Sequence, residues 1–503
     1  MERLPDRPTV SVPSRVIKRF LKKLKLKAPG LDGISNYLLK NGGETLVKYL
    51  AILFRWSLTI GYLPRAWKVA IVVPVLKDGK DPKLAASYRP ISLLPCIAKL
   101  LESIVAWSLQ DWCGKHGILP QHQAGFRRRR STVDPLFRLV CDAALAKAKS
   151  QKLIAVFLDF KAAFDTVWHE GLRVKLQQLG VPSHLLRWIS DFLRGRSFKA
   201  RVGNELSDDF VVSCGVPQGS PLSPLLFILY TSDMLPKKSK PDDSSKRVAN
   251  GTYADDAANW AYGQRVIKVV SRLQKQLTRT EKWCQQWRLL LNPAKCEFMV
   301  MGHKGASCKV TLTVNGVALA QVTEARYLGV YIRPCLSWDG HLDQVSAKTK
   351  WRIGALRGVM NRQCLSIKLG KLFYLSLINS IFTYAAPVWL CMSNSASKRL
   401  FEMQADGLRA ALGLPFEADP YGVLFLSGFD SIEDQMEEAA LRYAERSIGT
   451  DMAAFIRYHL NVKLEPERIA VLESHSPAWR LKAIDFSAYT PLVLLQEEVI
   501  VVY

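Results

Sequence analysis

The ten cysteines of this 503-residue chain include no CxxC pair. Their spacing therefore holds neither a disulfide framework nor a paired-thiolate zinc site, and a reduced, intracellular protein is expected. Cys296, His303 and Cys308 lack the paired pattern of a zinc centre as well. Met1 to Val10 is polar and proline-bearing rather than basic and then apolar, so no signal peptide is recognisable. No apolar run could cross a bilayer uninterrupted. The longest, Leu372 to Met392, is broken by Ser376, Asn379, Ser380, Thr383 and Pro387, and a buried helix is expected there instead of a membrane span. Acidic residues are scarce: 44 Asp and Glu face 70 Lys and Arg, a net charge of +26, while 49% of the residues are hydrophobic. This balance describes a globular chain with a large core, two to four packed units by length, and a basic surface suited to a polyanion. Nucleic acid and an acidic membrane both fit that charge.

Against this deficit, two adjacent carboxylates stand out. Asp255 and Asp256 lie in GTYADDAA, a short apolar setting that reads as the tip of a β-hairpin. An Asp-Asp pair in a turn is ordinarily solvated. A pair held side by side otherwise needs a cation, and oxygen donors without nearby Cys or His suit Mg²⁺ over zinc. A third carboxylate, Asp159, ends LIAVFLD, a β-rich run expected to be a buried strand that opens at its C-terminal end. One Asp from a central strand beside two from a hairpin is the layout that holds two metal ions for in-line attack on a phosphate.

FLDFKAAFDTVWHEGL, GVPQGSPLSPLLFILY and YADD, in that order, resemble the palm of reverse transcriptases, specifically those of non-LTR retrotransposons of the jockey and R1 type. KAPGLDGISNYLLK resembles the segment before their fingers, ARYLGVYI their primer grip, and TYAAPVWL their downstream region. The resemblance covers about residues 25 to 395. It implies an α+β right-hand polymerase with an antiparallel palm sheet and a helical C-terminal region: a fingers extension over 1–60, fingers and palm over 61–335, a helical thumb over 336–415, and a region of unknown role beyond. The implied activity is RNA-directed DNA synthesis with two Mg²⁺ ions, or Mn²⁺, on an RNA template, a DNA primer and dNTPs. An RNA-dependent RNA polymerase shares the palm logic, and a retroelement-derived binding protein with an inactive palm is the alternative.

The resemblance also assigns residues. Asp159, Asp255 and Asp256 become the catalytic residues, they and Phe160 the metal ligands, and Phe160 also lies at the incoming dNTP. Lys77 and Arg89 face the triphosphate, a point charge and a planar fork. Phe164, five residues after Asp159, becomes the bulky ring that excludes a ribose 2′-hydroxyl. Gln218 and Gly219 contact nucleotide and template; Tyr253, Tyr327, Leu328 and Gly329 contact the primer and template, and so do Arg127 and Arg128 of GFRRRRSTVDPL, where the family usually has one arginine. Ser220 is expected to cap a helix with Pro221 at its first position. Lys295 is a candidate for assisting the leaving pyrophosphate, and Asp165 and His169 show no partner in the sequence. The spacing predicts helices over Ser14 to Lys27, Val266 to Arg288 and Asp430 to Arg446, and one after Leu336 that buries Leu342, Val345, Thr349, Ile353 and Leu356 and turns its basic residues largely elsewhere. Nothing near the C-terminus resembles a zinc knuckle or is long enough for an RNase H domain. Because the sequence starts near the fingers extension, the endonuclease of autonomous elements is not expected within it and a truncated element copy is a third reading, while a nuclear address follows only from such an element's way of life.

Overall fold

A computed structural model describes residues 7–77, 79–236, 248–302, 308–363, 366–390 and 392–447. His303, most of the Pro236–Ala249 loop and the apolar run from Thr490 lie outside these residues. The chain divides into two compact units. One takes the residues up to Phe126, then 160–239 and 279–292; the other takes 127–159, 240–278 and the residues from Pro293 on. Both mix helix and sheet. Among the described residues no helix is long and apolar enough to cross a membrane.

The first unit is built on the hairpin expected around the Gly and Lys loop. Val69–Leu76 and Tyr88–Leu93 pair antiparallel with Val75 opposite Arg89. Arg196–Val202 joins the other edge, parallel to Val69–Leu76. The basic N-terminal helix runs Ser14–Lys23 and buries Ile17 and Leu21, ending four residues earlier than its charge pattern suggests. Helix Gly43–Ile60 stops at Gly61, whose φ of +71° and close approach to Arg187, 2.8 Å from the place of a Cβ, require glycine. The helix after the GVPQGS turn begins at Ser223, two residues later than expected. Ser220 does not cap it: Leu222 holds the N-cap position without a side-chain bond, the Ser220 Oγ accepts from the N–H groups of Leu222 and Ser223 and so closes the loop before the helix, and Pro224 rather than Pro221 takes the early helical position.

The second unit is organised by Lys152–Leu158, an apolar strand buried on both faces, as a central strand must be. Its neighbours are Asp256–Gly263 on one side and Glu297–Gly302 on the other, both antiparallel, with Ala249–Tyr253 and Ala320–Gln321 outermost. Leu153, Ala155 and Phe157, two residues apart on one face, share a core with Leu136 and Leu139 of helix Val133–Ala148. Helix Asp339–Gln363 buries Leu342, Val345, Thr349, Ile353 and Leu356, the face its pattern foretells. The expected buried helix over Leu372 to Met392 is not continuous. Ile367–Phe373 passes into a π-helical turn, Tyr374–Asn379, and the path breaks again at Ala385, which has a φ of +54°. The polar interruptions and Pro387 are the physical reason. Ile432–Ser447 is helical, as foreseen.

In the first unit, Lys175 of helix His169–Gln178 is nearly inaccessible, and its ammonium lies 4.0 Å from the Trp287 ring centre and 4.3 Å from that of Trp283. It donates to the Tyr230 carbonyl at 2.6 Å and to Asp233. Burial lowers its pKa from 10.5 to about 8, partly offset by Asp233. Between pH 8 and 10.5 the unfolded chain therefore binds the proton more tightly, so this group makes folding more favourable as pH rises. Denaturant unfolding of wild type and Lys175→Met at pH 7.5 and pH 10 should show the difference shifting toward wild type by roughly 1–3 kcal/mol. An unchanged difference would mean that the cage does not perturb this lysine.

Candidate active site

In the second unit Leu158 stands opposite Ala257, and Ala249–Tyr253 closes the hairpin with Tyr253 opposite Asp256. Continuing this register brings Asp159, the next residue of the central strand, to the end of the ladder beside Asp256. Ala254, at φ +59°, turns the hairpin and presents Asp255. Partial enclosure is the main cause that raises the pKa of Asp256, with the charges of Asp255 and Asp159 adding to it; despite Arg326 the value reaches about 6. Asp255 is raised in the same way, by burial first and then by Asp159. The three carboxylates thus share one electrostatic site, although among the described residues no three His, Cys, Asp or Glu side chains form a ready metal-holding group. Lys295 lies 4.0 Å from Asp159, with both side chains well exposed, which makes it a weak counter-charge. Cys296 serves as an acceptor within the fold: the Asp159 N–H donates to its Sγ at 3.4 Å.

The first unit gathers most of the residues expected at the nucleotide. Phe164 stacks on Phe227, with ring centres 4.5 Å apart, and its carbonyl accepts from Val216 N–H at 2.9 Å. Gln218 donates to Asp165 at 2.9 and 3.1 Å. Asp165, 53 positions earlier in the chain, therefore holds Gln218, a role that local sequence could not reveal. Burial raises its pKa, and the Gln218 bond and the charge of Lys77 oppose the rise, which puts Lys77 in the same field. The Lys77 ammonium donates to Ala86 O at 2.8 Å within its own hairpin, and Arg89 is exposed. Gly219 has a φ of +125°, and a Cβ there would lie 2.5 Å from the Ser92 carbonyl. The backbone it admits is the chain's own, stitched by Ser92 N–H to Gln218 O at 2.7 Å. Phe160 buries its ring and pairs its backbone with Leu291. His169 meets the Gly215 carbonyl at 2.7 Å.

The remaining expected residues lie in the second unit. Tyr327 is buried, and its hydroxyl donates to Gly251 O at 3.0 Å in the strand that leads to Asp255. Leu328 and Gly329, both at positive φ, form the turn between Ala325–Tyr327 and Val330–Ile332. Tyr253 is half-buried, Arg127 is partly so, and Arg128 is exposed. Arg130 of the same run turns inward toward Asp134, 3.7 Å away, with its side chain 6% exposed. At least this arginine of the run is structural.

The family model described as reverse transcriptase (RNA-dependent DNA polymerase) matches residues 76–332. The probable RNA-directed DNA polymerase from transposon BS of Drosophila melanogaster is 32% identical over 434 residues, covering 86% of this chain and 48% of that protein. The RNA-directed DNA polymerase from mobile element jockey of the same fly is 29% identical over 443 residues, 87% of this chain and 48% of the relative. The probable polymerase from its transposon X-element is 30% identical over 403 residues, 80% and 44% respectively. The chain spans about half the length of these relatives. A solved structure of apo telomerase from Candida tropicalis aligns with 54% of each chain at 12% identity and a TM-score of 0.37.

Because the folded state raises the pKa of Asp256 to about 6 from roughly 3.9 in an unfolded chain, its charge opposes folding above pH 6, and that penalty disappears below pH 4. Without divalent cations, Asp256→Asn should melt at a higher temperature than wild type at pH 7, and the two should converge at pH 4. Equal melting at pH 7 would show that neither burial nor its neighbours' charge makes the ionised Asp256 costly to the fold.

Proposed function

This chain belongs to the reverse transcriptase family, and from that premise we propose that it acts as an RNA-directed DNA polymerase of a non-LTR retrotransposon, extending a DNA primer 3′-hydroxyl with dNTPs on an RNA template. The observation that carries this reading is the set of three mutually repelling carboxylates, Asp159, Asp255 and Asp256, delivered by a central strand and a hairpin turn. In the right-hand scheme, the hairpin Val69–Leu76 and Tyr88–Leu93 would be fingers, the sheet around Lys152–Leu158 palm, and helix Asp339–Gln363 thumb.

Reverse transcriptases are generally dependent on divalent metals, and the donors here fit: they are carboxylate oxygens whose repulsion a cation would relieve. Asp159, Asp255 and Asp256, with the Phe160 carbonyl, would hold the ions. When bound, two Mg²⁺ ions supply acidity at the attacking hydroxyl and charge neutralisation at the departing pyrophosphate. The chain's own residues supply position. Lys77 and Arg89 offset the triphosphate charge, and Gln218, held by Asp165, orients the nucleotide. Phe164, fixed by Phe227 and by Val216, blocks the space a 2′-hydroxyl would occupy. The Tyr327 turn holds the primer end, and Arg127 and Arg128 add affinity for backbone phosphates, sensitive to salt and indifferent to sequence.

Primer extension on poly(rA) with oligo(dT), dTTP and Mg²⁺ tests the reading. Wild type should extend, and Asp255→Asn should fall by roughly a hundredfold or more. Phe164→Val should gain incorporation of rNTPs. If folded wild type binds primer and template without ever extending, the polymerase reading fails and a binding scaffold replaces it.

A further inference from the structure

Tyr384 stands outside every role assigned so far, yet its side chain ends on the turn proposed to hold the primer. Its hydroxyl donates to the Leu328 carbonyl at 2.7 Å and lies 3.1 Å from Thr132 Oγ1, just before helix Val133–Ala148. Its ring lies beside Gly329, where a Cβ would be in ordinary contact with it at 3.4 Å. The residue is itself fixed from behind. Ala385 takes a φ of +54°, and the Tyr384 carbonyl accepts from Nε1 of the fully buried Trp389 at 2.9 Å. One residue before that turn, Tyr327 reaches the other way and donates to Gly251 in the strand that leads to the Asp255 and Asp256 hairpin. Two tyrosine hydroxyls thus bracket the turn, one tying it to the carboxylate hairpin and the other to the helical layer.

We propose that Tyr384 is a positioning residue for the primer 3′ end: by clamping the Leu328–Gly329 turn from the helical side, it sets where that turn stands relative to the carboxylates. This rests on the polymerase reading above and adds to it a residue that touches neither metal nor nucleotide. Leu328 is a non-glycine residue at a φ of +46°, a conformation that persists only while its surroundings hold it. Removing the Tyr384 hydroxyl leaves the Leu328 carbonyl without that donor while the ring still covers the turn. Tyr384 is 38% exposed, so the change opens no core.

The test is single-turnover extension of oligo(dT) on poly(rA) by the full chain, comparing wild type, Tyr384→Phe and Tyr327→Phe, with primer–template affinity measured separately by fluorescence anisotropy. Tyr384→Phe should lower the maximal rate at saturating dTTP roughly tenfold, the scale of one lost hydrogen bond. Primer–template affinity and the dTTP concentration for half-maximal rate should stay within about twofold of wild type. Tyr327→Phe should shift the same quantity. A wild-type rate for Tyr384→Phe, or a fall in rate matched by equal losses of affinity and melting temperature, overturns the clamp while leaving the polymerase reading intact. Failure of wild type itself to extend overturns both.

Discussion

The pairing of Lys152–Leu158 with Asp256–Gly263 is the constraint on which the carboxylate site depends. Side chains alternate across a strand, so with Leu158 opposite Ala257 the next rung carries Asp159 beside Asp256 at the open end of the ladder. A slip of one residue would turn one of the two aspartates to the opposite face and move the apolar set with it. That slip is opposed along the whole strand, because Leu153 to Val156 are fully buried and Ala258 and Trp260 pack in the same core as Leu153, Ala155 and Phe157. Trp260 is further pinned through Nε1 to Asp142 of helix Val133–Ala148 at 2.7 Å. Hydrophobic burial thereby holds carboxylates that electrostatics alone would separate.

This arrangement explains what could be read from the sequence. An apolar β-rich run ending in Asp and an Asp-Asp turn carry their physical conflict in the residues themselves, and both segments fold as that conflict implies. The buried stripe of helix Asp339–Gln363 was equally legible, since its period needs no partner to be recognised. Partnerships across long separations were not legible. Asp165 finds Gln218, and Lys175 finds a cage made by residues 55 to 112 positions away, because such contacts are set by packing and leave no local pattern. Ser220 shows a subtler failure. Ser220 was expected to cap the helix, but Leu222 holds the cap position without a side-chain bond, and the Ser220 hydroxyl serves the loop before it while the helix waits for Ser223.

The positive charge behaves likewise. A net charge of +26 specifies a field over the surface, and packing then decides which cations remain to face a polyanion. Arg130 is drawn to Asp134, Arg352 donates to the Leu377 carbonyl, and Arg409 is divided between Asp406 and Ala418. Arg89, Arg128, Lys348 and Lys350 stay exposed. Composition supports a nucleic-acid partner without naming contacts, since an arginine in a run and an arginine on a surface are different physical objects. In the four-arginine run, Asp134 withdraws one member, Arg130, four residues before it.

Backbone strain follows the same segments. Ala162, Ala254, Leu328 and Ala385 all hold positive φ without being glycine, each at a cost of about 1 kcal/mol or more. They flank, in turn, Phe164, Asp255, the turn beside Tyr327, and Tyr384. Glycine would relieve the strain at any of them, but it would also free the backbone through φ space that an alanine or leucine forbids. A side chain that must meet a reacting group to within a fraction of an ångström gains more from a restricted backbone than from a relaxed one. The compensation lies in the neighbours that over-determine each turn: the Ala162 carbonyl accepts from Asp165 and Thr166, the β-ladder on both sides grips Ala254, Tyr384 holds Leu328, and Val388 binds the Ala385 carbonyl. Rigid packing around strained turns is how the fold keeps mutually repelling carboxylates and the Leu328–Gly329 turn in place.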